Sequence, residues 1–335
     1  MRRFLLVLSR VIVGGAALAP VILLGQSQTG ALQPLTPLSS SLDLSASVSF
    51  PEKVIVGKSG NAYLLDTELS TIFVTGNSGD LSNHCELRAA ASASDMSVDA
   101  RGGIWILDSF KSRIIRLNQQ CRLEKSFPCR NTPQRLQVNT FEEVVVLTAE
   151  GEMLFDVYSA EGKLLRSFGR RFRYGNPIAD GELSDGRLCS DKWGGIYFSF
   201  NYPALIRHYG RDGRLISEFK PETDISIRPP EVSSRTQGNQ LAVSAQYQIL
   251  VLDMAADRNG RLYFLISGQN KVVALTRGSR NLRVSTSTGR TLKKISLDDS
   301  FHRLAVHGDV LYLLRSRRGP RLVRYALPYS PHRSS

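Results

Sequence analysis

The chain lacks the spacings that mark common metal and nucleotide sites. Its four cysteines form no C-x-x-C, and its five histidines, at 84, 208, 302, 307 and 332, form no H-x-x-x-H. That removes the usual zinc patterns. There is no P-loop, no dinucleotide fingerprint and no G-x-S-x-G elbow, so nothing points to nucleotide-phosphate or serine-nucleophile chemistry. Acidic residues are absent from Val310 onward, where six arginines stand: Arg315, Arg317, Arg318, Arg321, Arg324 and Arg333. On a chain of formal net charge +13 this stretch reads as a solvated face, or as one attracting anionic polymer or lipid headgroups.

What the sequence has is a repeat. "GGIWILDSFKSRIIRL" (102–117) sets two short β-branched runs around a charged knot, Asp108 to Arg113, and such runs favour strands over a helix. "GNAYLLDTELSTIFVTG" (60–76) repeats the arrangement around Asp66. Segments 194–219 and 259–275 repeat the two strands without the Asp, and 142–169 and 308–327 are looser copies. Six units result between residues 51 and 328. Each holds roughly fifty residues and four short antiparallel strands, the signature of a propeller blade. The expected fold is all-β, one six-bladed β-propeller over residues 41–328. Its last unit supplies only three strands, and an open sheet edge invites aggregation. "SLDLSASVSF" (41–50) alternates apolar with polar residues and is read as the half-buried strand that completes blade six.

The form "DSFKSRI" resembles the NHL repeat, in which an Asp after the second strand and an Arg opening the third fix the intervening turn. Residues 98–117 match it closely and 55–74 less so, while the remaining blades lack the Asp and usually the Arg. The resemblance implies the fold and a turn role for Asp108 and Arg113, and it carries no activity. Lactonases and streptogramin lyases share this blade count, which implies an alternative: a hydrolase or lyase with Ca²⁺ or Mg²⁺ in the central channel. The inner strands offer Asp99, Asn139, Asp191 and Asp257 near one end for such a cation, and His307 beside them. Asp followed by Gly is also ordinary turn chemistry. His208, in "LIRHYGRDG", alternates with apolar neighbours and is read as facing solvent.

Basic "MRRF" followed by an apolar run reads as an export signal over residues 1–25, or as a retained N-terminal anchor. Residues 26–40 form a Pro-containing spacer and 329–335 a tail. The expected location is periplasmic or secreted, or membrane-anchored if the first segment stays. Cysteines in an exported chain suggest disulfides. Cys121 and Cys129 bracket an outer strand that would hold them about 26 Å apart, against the roughly 7 Å that a disulfide permits. Cys85 and Cys121 hold the same place in successive blades and are the favoured pair, with the connectivity otherwise open.

Binding is expected on loops. Segments 169–186, 220–240 and 200–204 stand on one face around blade four, and long loops on a rigid scaffold carry function. Arg171, Phe172, Arg173 and Tyr174 interleave cations with aromatics, which suits stacking on sugars and pairing with anionic groups. With Tyr202 they are the candidate ligand-binding residues. An extended rim would turn Phe172 and Tyr174 one way and Arg171 and Arg173 the other. The functional expectation is a monomeric, non-enzymatic exported binding protein with no cofactor. Its partner would be a protein, a glycan or an anionic envelope polymer, and not a nucleic acid.

Overall fold

Burial falls from the second strand of each repeat to the fourth, and that gradient builds the blades. The computed structural model describes residues 41–76, 80–88, 92–237 and 240–327, with Leu35, Pro37 and Leu38. The export leader, nearly all of the 26–40 spacer and the 329–335 tail lie outside the described residues. Six four-stranded antiparallel sheets form the ring. Blade one comprises Pro51–Val56, Ala62–Asp66, Thr71–Thr75 and Leu81–Glu86. Blade two comprises Ala93–Val98, Ile104–Asp108, Arg113–Leu117 and Leu123–Pro128. Blade three comprises Pro133–Val138, Val144–Thr148, Met153–Tyr158 and Leu164–Arg170. Blade four comprises Gly186–Ser190, Ile196–Phe200, Ile206–Tyr209 and Leu215–Phe219. Blade five comprises Gln248–Ala256, Leu262–Asn270, Ser279–Ser285 and Thr291–Phe301. Blade six has Arg303–His307, Val310–Arg315 and Arg321–Ala326.

In blades one to four every residue of the second strand is buried, whereas the outer strand Leu123–Pro128 is largely exposed. The charged knot is a turn: Asp108 accepts from the Lys111 amide (3.2 Å) and pairs with Arg113 (3.1 Å). At the opposite end of blades two, four and five an Asp-x-x-Gly turn joins the first strand to the second. Gly102 and Gly194 have φ of 82° and 81° there, in the left-handed region that a side chain disfavours. The Cys85–Cys121 disulfide, with Cα atoms 5.5 Å apart, ties blade one to blade two. Cys129 and Cys189 are free.

Three expectations are corrected. The strand expected over 41–50 is only Leu42–Asp43, paired antiparallel with Leu322 and Arg321. The chain then turns, with Val48 N–H donating to Leu44 O (2.8 Å). Leu44 and Val48 are both buried because they lie four apart on one turn; an i, i+4 pair also satisfies a period of two. The apolar run at 271–275, expected as a strand, is instead the helix Lys271–Arg277, since a run this short does not distinguish the two conformations. The segment 169–186 contains a second short helix, Pro177–Leu183. Asn176 caps it by accepting from the Ile178 and Ala179 amides, and Pro177 occupies the first turn, where its missing N–H costs nothing. The segment after blade four forms a hairpin, Glu231–Gln237 with Gln240–Gln246.

Candidate ligand site at the channel mouth

The inner strands line the central channel, and each contributes one charged residue at the same register. Lys53, Asp95, Arg135, Arg187, Asp253 and Arg303 stand opposite Leu65, Leu107, Leu147, Ser199, Leu265 and Leu314 of their second strands. The six side chains therefore form a ring around the channel, four basic and two acidic. Lys53 meets Asp95 at 2.9 Å, Arg135 meets Asp185 at 3.1 Å, and Arg187 lies 4.0 Å from Asp253. Asp95 also accepts from the Leu136 amide, and Asp253 from the Leu304 amide, each at 2.9 Å across to the next blade. Arg303 donates to the Glu52 carbonyl, linking blade six to blade one. Burial opposes the charge of Arg135, but Asp185 and Asp95 outweigh it and hold that guanidinium above its usual value. Burial, with Arg135 and Arg303 nearby, pulls Arg187 down to about 10. These pairs ring the channel at the end nearest the long loops.

Beyond the ring lies a cavity of about 300 Å³, walled by the remainder of the inner strands, among them Gln137, Ser190 and Cys189. It opens past Lys58, Ala100 and Thr140, on the face of the Asp-x-x-Gly turns. Burial pushes the Cys189 thiol up, so it presents no thiolate nucleophile.

Beside that mouth two turns are joined. Asn139 Nδ2 donates to Gly194 O (3.2 Å), and Thr140 Oγ1 to Lys192 O (3.4 Å). The Phe141 ring lies against Gly194, where an added Cβ would come within 2.6 Å of it. Phe141 is 50% exposed and Trp193 62% exposed. A cation sits over each ring, Arg211 at 3.8 Å from the Phe141 centroid and Lys192 at 4.5 Å from that of Trp193. Arg211 is held in turn by Glu143 (2.9 Å), which also binds Arg166 (2.8 Å). Burial opposes ionisation of Glu143, but Arg166, Arg211 and Asn139 outweigh it and hold the carboxyl at about 2. The arrangement offers two half-exposed aromatic rings, each with a cation over it and one of those cations held by Glu143, which suits stacking on a ring. The sequence held a signal for it. In "NTFEE" and "DKWGG" an aromatic occupies the turn position that Arg101 and Asn259 fill in other blades.

The residues expected to hold a cation lie at the ends of the inner strands, but their polar atoms are committed to the turns. Asp99 accepts from the Arg101 and Gly103 amides (2.9 and 2.8 Å), from Trp105 Nε1 (2.9 Å) and from Arg116 (2.8 Å). Asp191 accepts from Trp193 N and Gly195 N (2.7 and 2.8 Å), and its other oxygen meets His208 Nε2 at 2.8 Å. Asp257 binds Asn259 N, Arg261 N and the Tyr263 hydroxyl. Asn139 accepts from the Phe141 and Glu143 amides. This donor set does not fit a resident divalent cation, and among the described residues no cluster of His, Cys, Asp and Glu is arranged to hold one. His208, read as facing solvent, is buried, with its ring stacked on Tyr197 at 3.9 Å.

The rim loop before blade four also differs from its reading. Arg171 does not project outward; it is only 6% exposed and donates to the carbonyls of Thr148, Glu150, Gly151 and Met153. Burial lowers its pKa to about 10, with Arg173 adding to the effect. Phe172 packs edge-on to Phe200 at 5.0 Å, under the guanidinium of Arg207. The Tyr174 hydroxyl donates to Tyr202 O (3.0 Å), and the two rings lie 5.9 Å apart. Arg173 is paired with Asp180 at 3.3 Å and keeps the most exposure of the group.

Comparison with known proteins places the fold and nothing finer. No protein-family model matches the sequence, and no curated protein matches it either. Among solved structures, virginiamycin B lyase from Staphylococcus aureus is similar, with a TM-score of 0.53, 13% identity, and coverage of 87% of this chain and 89% of that one. This chain is a six-bladed β-propeller. A gluconolactonase from Xanthomonas campestris aligns with a TM-score of 0.55 and 15% identity, over 89% of this chain and 95% of its own. The propeller domain of Cps50 (Swd1) from Myceliophteria thermophila aligns at 0.51 and 9% identity, over 88% and 100%. Proteins this far apart in sequence share the propeller and need not share a site.

Proposed function

We propose that this propeller is an exported, non-enzymatic binding protein of NHL-like repeat character. Its ligand is a saccharide or another flat, ring-bearing molecule, bound on the turn face at the channel mouth. One observation carries the reading: Phe141 and Trp193 stand exposed on two bridged turns beside a 300 Å³ cavity that reaches Lys53 and Asp253 of the charged ring. Phe172, which anchors its own loop, is by contrast partly buried against Phe200. The divalent-cation lyase or lactonase alternative has weaker support, because the oxygens it needs already hold turns. The buried His208 is likewise committed, to the Asp191 carboxylate.

Tryptophan emission tests this directly. The chain has two tryptophans; Trp105 is fully buried and Trp193 exposed, so a ligand-dependent shift reports Trp193. Titration of the full chain with a panel of soluble saccharides should give a saturable shift that Phe141→Ala abolishes. Undiminished binding of a Phe141→Ala, Trp193→Ala double variant in calorimetric titration, or a melting temperature raised by Ca²⁺ and restored by a chelator, would overturn the reading.

A further inference from the structure

The arginine-rich end of the chain folds into a second cavity, far from the turn face. It measures about 360 Å³ and lies between the helix Lys271–Arg277 of blade five and the turn after Val310–Arg315 in blade six. Five arginines line it, at 277, 280, 315, 317 and 318, against a single carboxylate, Asp299. Arg315 takes that carboxylate at 2.6 Å and also donates to Gly319 O, while Arg317 lies 4.1 Å over the Phe50 ring. Arg277, Arg280 and Arg318 have no carboxylate partner among the described residues.

His302 supplies the second, independent sign. It is 3% exposed and lines the same cavity. Its Nδ1 accepts from the Ser316 amide at 3.1 Å, so the neutral ring carries its proton on Nε2. Burial, with Arg303, Arg317 and Arg315 nearby, lowers its pKa to about 4, which keeps that neutral form at pH 7. Nε2 meets no acceptor within hydrogen-bond geometry, and the nearby Thr276 backbone favours the protonated ring only enough to offset part of the effect of burial. A buried imidazole N–H in a cavity that three guanidinium groups without carboxylate partners also line suits an oxyanion. Guanidinium forks match the spacing of phosphate oxygens, and the volume exceeds a bare phosphate and falls at the small end of organic ligand sites.

We infer that this cavity binds a phosphate group carried on a small organic body, either a soluble phosphomonoester or the headgroup of a phospholipid. The site is independent of the aromatic mouth, and its loss would leave that reading intact.

Calorimetric titration of the full chain with inorganic phosphate and with glycerol phosphate, at constant ionic strength against chloride, gives the soluble arm. Sedimentation with phosphatidylglycerol vesicles against phosphatidylcholine vesicles gives the headgroup arm. Saturable binding in either arm is expected, weakened at least tenfold by Arg277→Ala with Arg280→Ala. Arg318→Gly is the second variant. Arg318 has a φ of 58°, which glycine adopts freely, so this change removes a charge without straining the turn and should weaken binding several-fold. Arg214→Ala, at an exposed arginine of blade four, should leave binding unchanged. Soluble binding alone identifies a free phosphomonoester, and vesicle binding alone a headgroup. No saturable binding in either arm, or wild-type binding by both arginine variants, would falsify the inference.

Discussion

Blades two and four carry the same fastener in different side chains. In blade two the turn carboxylate Asp99 caps its own turn and receives Trp105 from the second strand and Arg116 from the third. In blade four Asp191 caps its turn identically, Tyr197 stands where Trp105 does, and His208 stands where Arg116 does. Seen alone, a buried His–Asp pair under a channel mouth suggests general-base chemistry. Beside blade two it is the blade-four version of a structural cross-link, because a guanidinium in the same place cannot act as a base. The difference between the blades that bears on binding lies one residue beyond the carboxylate's immediate neighbour. There blade two places Arg101, paired with Glu142 at 2.8 Å, and blade four places the exposed Trp193.

Removing the carboxylates breaks the fastener and should give the largest effects. Asp99→Ala orphans two turn amides and leaves Arg116, whose side chain is mostly buried, without that partner. We expect a loss of about 3–5 kcal/mol, as for a broken buried ion pair. Asp191→Ala orphans the same two amides but leaves an imidazole, which can remain neutral, so about 2 kcal/mol is expected. Urea denaturation of both variants checks the order. A larger loss for Asp191→Ala would mean that the blade-four pair holds something beyond its own turn.

Acid separates pairing from burial. For both carboxyls burial opposes ionisation, but the hydrogen bonds outweigh it: from Trp105, Arg116 and Gly103 at Asp99, and from His208, Gly195 and Trp193 at Asp191. Both are held below their usual value, so each contributes stability that is complete above about pH 5 and is lost as pH falls through its folded pKa. His302 is buried without a carboxylate and titrates near 4 instead of 6.5. The unfolded chain takes up that proton first, so its share is complete above pH 6.5 and falls between 6.5 and 4, by up to about 1.4 kcal/mol per pH unit. His302→Gln should flatten the upper limb of a stability–pH curve. Asp191→Asn should flatten only the lower one, and a flattened upper limb in that variant would contradict the assignment.

Blade four also carries a loop that blade two lacks, and its two inward-leaning arginines should differ. Arg171→Ala strands four carbonyls and should cost about 1–3 kcal/mol. Arg173→Ala removes a half-exposed ion pair and should cost no more than about 0.5 kcal/mol. Equal losses by thermal denaturation would show that the loop is not anchored through Arg171.

The propeller was legible because its code is local and repeated: an aromatic in a buried second strand, an Asp or Gly at a turn, an apolar third strand. Short breaks in the rhythm were not. Leu44 and Val48 suit a strand or a turn equally, and residues 271–275 are too short to declare a period. The charged ring was visible in principle. Every inner strand reads charged-then-apolar, "KV", "DM", "RL", "RL", "DM", "RL", but only register brings those residues together across six blades. The aromatic mouth was harder to see. The long loop before blade four has the more conspicuous sequence, but its Arg171, Phe172 and Tyr174 hold the loop down. Phe141 and Trp193 sit in turns of five residues, 139–143 and 191–195, and nothing in one turn's sequence says that a neighbouring blade's turn is bridged to it.

The smallest stability effect should come from the position where the two blades differ most in function. Trp193 and Arg101 occupy the same turn site, both largely exposed. Their backbone amides bond to the turn carboxylates whatever side chain they carry. Trp193→Arg therefore gives blade four the turn of blade two and should change stability by no more than about 0.5 kcal/mol. The same change removes one of the two exposed rings at the mouth, and it should eliminate saccharide binding measured by calorimetry. Arg101→Trp is the reciprocal change. It places an indole on blade two, where the preceding blade's turn, 57–60, carries no aromatic, so it should create no second site. If Trp193→Arg binds as the wild type does, the aromatic pair is not the contact surface, and blades two and four differ only in how they fasten the same turn.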